Sequence, residues 1–363
     1  MTEERLRAHW FGGLQAPFWN YNPAELTMGV ELEYFIARGD EKNFILANKQ
    51  EYFETIRHLT SGNRYKDHKL HDQPGRISKD TRAGYVAIKP DFAWHILEIS
   101  LPPRPSITQM RELVEETLGE VDAALAAAGL KRLQISCLPH PPPQVDLVEL
   151  ERMSAFTQSV TQKAAEGSSF DPFVDPLFPA YMVSTHVHFN AFDLSALSLW
   201  PSLFAIEAEV GEIYCRARSF SGRDVRSVRT EFMKKTMGSG YKLKGIPDPV
   251  PTSIEDYVLA MNTSTRAFPK DPFFPVRDVS YIRPSRYGTI EFRSACSAYA
   301  VDEIIEIICW RMMQLLAARK MSLGNFTARE AISIATSELV DAGIVPEGAS
   351  KRILAKVDDN GGT

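Results

Sequence analysis

Four short segments set ionisable side chains inside otherwise apolar, strand-like sequence. In Gly29-Val30-Glu31-Leu32-Glu33-Tyr34, alternation of period two puts Glu31 and Glu33 on one face and Val30, Leu32 and Tyr34 on the other. Two carboxylates that close repel each other, so they require a cation, a basic partner or open solvent. A solvated strand face satisfies the same pattern. In Ile96-Leu97-Glu98-Ile99-Ser100-Leu101, a single carboxylate is flanked by apolar residues, and burying it demands a partner. Asp91 and His95 lie near enough in sequence, and a structural ion pair is the alternative to a ligand role.

The third segment, Ser184-Thr185-His186-Val187-His188-Phe189-Asn190, turns His186, His188 and Asn190 one way and Val187 and Phe189 the other. An H-x-H pair on a strand is a recurrent metal-ligand arrangement, and imidazole also serves as a base. Alone it admits a zinc-hydrolase centre or a satisfied structural pair. The fourth, Gly288-Thr289-Ile290-Glu291-Phe292-Arg293-Ser294, puts Glu291 and Arg293 on one face, with Arg277, Arg283 and Arg286 upstream. Arginines beside a glutamate suit a place where phosphate oxygens and a metal meet, and equally describe a surface ion pair. Taken together, carboxylate-rich strands with few thiols favour a hard cation such as Mg²⁺ or Mn²⁺. Metal ions bridging nucleotide phosphates on the face of a sheet are what phosphoryl transfer requires.

These segments need strands to carry them and helices to back them. Strand patterns run over Thr27–Ala37, Gly84–Lys89, Trp94–Leu101 (stopped by Pro102 and Pro103), Lys131–Leu138 and Tyr181–Phe192, with a strand pair over Ser280–Ser294. Ser106 and Gln109 form a capping-box pattern ahead of a helix from Ile107 to Ala128, with Gly129 as its stop. Further helices are expected over Asp146–Ala165, Leu194–Arg218 with a break at Pro201, Asp224–Met237, Ser253–Met261, Ala300–Lys320 and Thr327–Gly343. Strands in two groups without regular β-α-β alternation indicate an α+β fold. The expectation is an antiparallel or mixed sheet with helices on one side, in one catalytic domain over 1–363 with 300–363 as a helical cover. Ile304–Leu316 is apolar enough for core or for an interface in a homo-oligomer.

The remaining basic feature is the run Arg216, Arg218, Arg223, Arg226 and Arg229, whose last three share one face if helical. It reads as a clamp for an anion or as a solvated helix paired with Asp224 and Glu231. Lys234–Lys244, with Gly238-Ser239-Gly240, lacks the phosphate-loop spacing and reads as a lid or a surface loop.

Bulk properties narrow the classes. The chain has 363 residues, 44% hydrophobic and 24% charged, with a formal net charge of −5. A nucleic-acid partner is not expected, because phosphate neutralisation needs a basic surplus. No apolar run reaches the roughly 18 residues of a membrane span. Charged residues from Glu3 to His9 do not fit a signal peptide. Cys137, Cys215, Cys296 and Cys309 form no C-x-x-C pair, which favours reduced thiols and a cytoplasmic location.

The ordered set of segments resembles the glutamate–cysteine ligase family, within the wider glutamine synthetase-like superfamily. Gly29–Tyr34 looks like its opening G-V-E-x-E strand, and Asp91–Pro103 like its later strand with a metal-binding glutamate. Thr185–Asn190 resembles its T-H-V-H segment, and Arg283–Ser294 its R-P-x-x-x-G-T-x-E-x-R segment. The four span about Thr27 to Ala300 in family order. The resemblance implies an ATP- and Mg²⁺-dependent ligase (Mn²⁺ an alternative) joining a small-molecule or peptide carboxylate to an amine through an acyl phosphate. It implies metal ligands at Glu31, Glu33, Glu98, His188 and Glu291, nucleotide contacts at Arg283, Arg286, Arg293 and His186, and catalytic roles for Glu31 and Arg293. A guanidino-kinase-like phosphotransferase of the same superfamily is the alternative activity. No cysteine-binding signature is apparent, and neither 168–179 nor the basic run has a counterpart in the pattern.

Overall fold

The computed structural model describes residues 26–67, 75–82, 84–142, 144–148, 173, 177–190, 198–235, 243–263, 278–285 and 289–360. In chain order the strands are β1 (Met28–Gly39), β2 (Phe44–Leu46), β3 (Lys66–Asp67), β4 (Ile77–Thr81), β5 (Gly84–Pro90), β6 (Ile96–Arg104) and β7 (Lys131–Arg132). They continue as β8 (Thr185–Phe189), β9 (Ser219–Phe220), β10 (Arg223–Asp224), β11 (Leu243–Gly245), β12 (Asp278–Ser280), β13 (Ile282–Pro284) and β14 (Ile290–Phe292). The helices are α1 (Lys49–Ser61), α2 (Ile107–Ala127), α3 (Trp200–Val210), α4 (Val228–Lys235), α5 (Ile254–Thr263), α6 (Val301–Leu323), α7 (Ala328–Asp341) and α8 (Glu347–Asn360).

Ten strands join one sheet in the order β13-β14-β8-β1-β6-β5-β4-β3, with β2 and β7 paired to the far end of β1. Every ladder in it is antiparallel. The chain therefore has the expected α+β fold, with β1 at the middle. One sheet face carries Val30, Leu32, Leu97, Ile99, Val187, Phe189, Ile290 and Phe292, all buried in a single cluster with α2, α3 and α6. Helix α6 is buried along its whole run from Ile304 to Ala318. A helix this apolar on every side belongs inside a core, where its few polar residues, Glu306, Arg311 and Gln314, are buried with it.

Local signals at the helix ends behave as their chemistry dictates. Ser106 accepts from the Gln109 N–H at the start of α2, and Thr327 and Glu330 form a reciprocal capping box at α7. Gly129 follows α2 at φ +72°, a conformation that costs other residues more.

Several expectations are corrected. β6 runs past Pro102 and Pro103 to Arg104, because the ladder shifts register between Val30↔Leu101 and Met28↔Arg104 and the prolines fall in that irregularity. The strand expected over Lys131–Leu138 pairs only at Lys131 and Arg132. Pro201 sits in the first turn of α3, where its missing N–H costs nothing, so it starts the helix and does not interrupt it. Asp224 lies in the small β9–β10 hairpin, and α4 begins only at Val228. The helices α1 and α8 were not anticipated. The helix expected over Asp146–Ala165 falls almost wholly outside the described residues, as do Arg277, Arg286, Gly288 and the 238–240 loop. All four cysteines are buried. Among the described residues no helix is long and apolar enough to cross a membrane.

Candidate active site

The face of the sheet opposite the helical core is polar, and strand register lines its side chains up in three rows. Arg283, Glu291, His188 and Gly29 stand opposite one another across β13, β14, β8 and β1. His186, Glu31, Ser100 and Ala87 do so across β8, β1, β6 and β5. Glu33, Glu98 and Lys89 form the third row across β1, β6 and β5, with Ser184 joining it through its N–H and hydroxyl, 2.9 and 2.6 Å from Glu33 Oε2. Period-two alternation fixes which face each residue occupies, and only the register decides which of them meet.

The first two rows meet around Glu31. Ligand atoms of Glu31, His188 and Glu291 all lie within 4.8 Å of one another. His186 Nδ1 is 3.3 Å from Glu31 Oε2 and 3.7 Å from Glu291 Oε1. The Nδ1 of His188 faces the Thr289 hydroxyl at 3.0 Å, which leaves its buried Nε2, 3.8 Å from Glu31, with no hydrogen-bond partner. Two carboxylates and an imidazole with an unshared nitrogen are a donor set that Mg²⁺ or Mn²⁺ accepts when water completes the shell. Glu291 is shared: Arg283 grips it with Nε at 2.6 Å and a terminal nitrogen at 3.2 Å, and Arg293 Nε stands 3.1 Å away. A carboxylate has about four lone-pair positions, so an arginine fork does not exhaust it.

Charge is distributed unevenly over this face. Burial works against ionising Glu31, but the imidazoles of His186 and His188 outweigh it and hold the carboxyl well below its usual range. Burial likewise opposes the charge on Glu291, and the guanidinium groups of Arg283 and Arg293 pull it down to about 2. Across β1 the balance reverses. Burial, then the charge of Asp91, pushes Glu33 up to about 8. Burial, only partly offset by Lys89, raises Glu98 to about 7. Lys89 Nζ is 2.5 Å from Glu98, and Ser100 donates to the other oxygen at 3.0 Å. Burial pushes the His186 imidazole down to about 4, so it is neutral at pH 7.

A continuous chain of short contacts joins the two halves. Ser184 Oγ lies 2.6 Å from Glu33 and 2.8 Å from His186 Nε2, and His186 Nδ1 faces Glu31. Arginine closes the β14 side. Arg229 on α4 donates from Nε to the Arg293 carbonyl at 2.7 Å, with a terminal nitrogen 3.4 Å from His186 Nε2. Arg293 Nε is paired with Glu291 at 3.1 Å, but one of its terminal nitrogens is buried without a hydrogen-bond partner. Such N–H groups are costly to leave bare and are competent to bind an anion's oxygens. Phe232, one turn after Arg229, packs with Phe173, Phe178 and Phe220 in an apolar cluster that includes Phe35, so α4 is anchored over this face. On the other side of Glu31 a cavity of about 370 Å³ opens between Gly29, Ala87, Ser100, Arg76, Tyr85 and Pro102.

Of the residues singled out from sequence, Glu31, His188 and Glu291 come together as one ligand set. Arg293 and His186 adjoin it, Arg283 is engaged by Glu291, and Glu33 and Glu98 form a neighbouring acidic pair. Arg286 lies outside the described residues. Sequence reasoning missed Ser184, Lys89 and Thr289, each adjacent to or within a segment already noted, and it left Arg229 undecided within a basic run.

No family model matches the chain, and no curated protein matches it. Among solved structures it is similar to a bifunctional glutathione synthetase from Pasteurella multocida, with a TM-score of 0.57 at 13% identity. That alignment covers 94% of this chain and 49% of the other, so the chain spans about half the length of that enzyme. The complex of the prokaryotic ubiquitin-like protein Pup with its ligase PafA aligns at 12% identity over 93% of this chain and 63% of that one, with a TM-score of 0.41. The second likeness is too distant to carry argument. The first establishes a shared fold.

Proposed function

We propose that the chain is an ATP-dependent carboxylate–amine ligase that makes an amide bond through an acyl phosphate, with glutamate as its first candidate acid and cysteine its first candidate amine. The observation that carries the reading is the convergence of Glu31, His188 and Glu291 from three strands, beside a buried arginine with an unpartnered terminal nitrogen. The fold it shares with a glutathione synthetase and the four ordered segments support the same reading.

In this proposal Glu31, His188 and Glu291 hold Mg²⁺ or Mn²⁺, which when bound neutralises charge on the transferring phosphoryl group. Arg293 directs its unpartnered terminal N–H at phosphate oxygens, where charge develops on transfer. The cavity beside Tyr85 and Arg76 accepts the rest of the nucleotide. Aligning the acid with the phosphorus, and then the amine with the acyl carbon, supplies the larger part of the acceleration.

The test is an ATP-consumption screen over pairs of carboxylates and amines with Mg²⁺, read by product mass. The ligase reading expects ADP and phosphate only when both partners are present, with an amide of matching mass. Phosphate retained on a single acceptor would identify a phosphotransferase. Hydrolysis without nucleotide, in protein that purifies with zinc, would identify a metallohydrolase.

A further inference from the structure

Behind the strand that carries Glu291 and Arg293 lies an ion pair with no contact to solvent. Arg311 of α6 is 0% exposed and Glu207 of α3 is 3% exposed. They meet at 2.8 Å, and Gln314 bridges them, accepting from Arg311 at 2.5 Å and donating to Glu207 at 2.9 Å. Both sit within the apolar cluster on the helical side of the sheet. Gly211 leaves the space, since a Cβ there would stand 2.3 to 2.7 Å from the Glu207 carboxylate.

An ion pair in such a place is poor evidence for stability. Desolvating two charges costs several kcal/mol each, and apolar residues of equal volume often do as well or better. Arg311 also keeps one buried N–H, on Nε, without a partner. What the network reaches is Ser294. Its hydroxyl donates to Glu207 and accepts from Arg311 at 2.6 Å.

Ser294 follows Arg293, a residue of the site that lies just beyond the end of its strand. Strand β14 ends at Phe292, and the peptide beyond it is held by four other contacts. The Arg293 N–H donates to the Tyr281 carbonyl at 2.8 Å, and Arg229 donates to the Arg293 carbonyl from the site side. The Cys215 thiol donates to the Ser294 carbonyl at 3.2 Å, and the buried pair takes the Ser294 hydroxyl from the helical side. We infer that Glu207 and Arg311, acting through Ser294, are positioning residues that fix the direction of the Arg293 guanidinium. With Arg229 they grip the 293–294 peptide from both faces of the sheet. The catalytic consequence rests on the ligase reading above, whereas the immobilisation of Arg293 does not.

The test begins with Ser294→Ala, which cuts the link and leaves Glu207, Arg311 and Gln314 paired with one another. A second variant, Glu207→Leu/Arg311→Met/Gln314→Leu, removes the network and keeps the packing. Two readouts apply: steady-state kinetics on the best substrate pair, and the arginine Nε–H resonance of Arg293, assigned by its disappearance in Arg293→Lys. We expect Ser294→Ala to fold with a lowered Tm, because Arg311 and Glu207 each lose a buried partner, while kcat falls on the order of 10- to 100-fold, the scale of an ångström-sized misplacement. KM for the acid and amine should change little. The Arg293 resonance should shift or broaden in both variants. Wild-type kcat together with an unmoved resonance would overturn the inference, as would a kcat loss with the resonance unmoved. If the wild type turned over no substrate pair, the ligase reading would fall and the resonance alone would decide the positioning claim. If the triple variant did not fold, Ser294→Ala would still decide it.

Discussion

Four glutamates share one sheet face, and the two halves of that face treat them in opposite ways. On the β8–β14 side, Glu31 and Glu291 stay ionised because imidazoles and guanidinium groups surround them. On the β6 side, burial and the charge of Asp91 outweigh Arg229 and Ser184 at Glu33 and Lys89 at Glu98, and both are raised toward neutrality. Glu291 is at least as buried as Glu98 yet stays ionised, so the partners decide. Under the proposed reading, the comparison favours the half with carboxylates already ionised, Glu31 and Glu291 with His188, as the place for a divalent cation. The protonated pair next to it is suited to taking or giving protons.

The largest test of this division neutralises carboxylates of the ionised half and uses the other half as the control. Glu31→Gln and Glu291→Gln should each fold and lose turnover by at least about 1,000-fold, because both ligand and developing-charge stabilisation go together. Mn²⁺ affinity, followed by electron paramagnetic resonance, should fall with it. Glu98→Gln should cost far less in metal affinity. Equal losses of Mn²⁺ binding on both sides would erase the distinction. Next in size, Arg293→Met should lower kcat about 100-fold with the metal site intact, since a preorganised donor to developing charge carries about that factor. Retained kcat in that variant would remove arginine from the phosphate's surroundings.

The protonated half predicts a dependence on pH. Glu33 and Glu98 bind protons more tightly folded than unfolded, because their ordinary value near 4.5 is raised to about 8 and about 7. Their contribution to stability is therefore fully present below about pH 4.5 and is lost as pH rises toward 8. Glu291 changes nothing in that window, since its value of about 2 lies well below it. The metal-free protein should accordingly denature more easily at pH 8 than at pH 6, measured by urea midpoints. Glu33→Gln should flatten that slope. An unchanged slope in the variant would assign the effect elsewhere.

The sequence made this face legible only in part. Period two in Gly29–Tyr34 and in Ile290–Arg293 placed Glu31, Glu33, Glu291 and Arg293 on their correct sides, since that periodicity is local. It could not show that His188 stands opposite Glu291 while Glu98 stands opposite Glu33, because register is set by long-range pairing. The fold class was legible for the same reason: antiparallel strands and capped helices carry their signals within a few residues. Pro102 and Pro103 misled, as a bulge in the ladder tolerates what a regular strand does not. The basic run misled in the opposite sense. Its 3-residue spacing suggested one helical face, yet the chain turns through β9 and β10 before α4 begins.

That run supplies the smallest predicted effect and a sharp internal control. Arg226 is 59% exposed and pairs with Glu212 at 2.7 Å, whereas Arg229 is 8% exposed and bonds the Arg293 carbonyl. An exposed pair is worth at most about 1 kcal/mol, so Arg226→Ala should leave both kcat and the urea midpoint close to wild type. Arg229→Ala removes a buried donor from a carbonyl and a neighbour from His186, and should lower kcat about tenfold or more if aim at the site matters. Substituting each in turn compares two arginines three residues apart in the same sequence pattern. If Arg226→Ala impaired turnover as much as Arg229→Ala, the run would act as a unit, and burial against the β14 side of the sheet would not be what selects its working member.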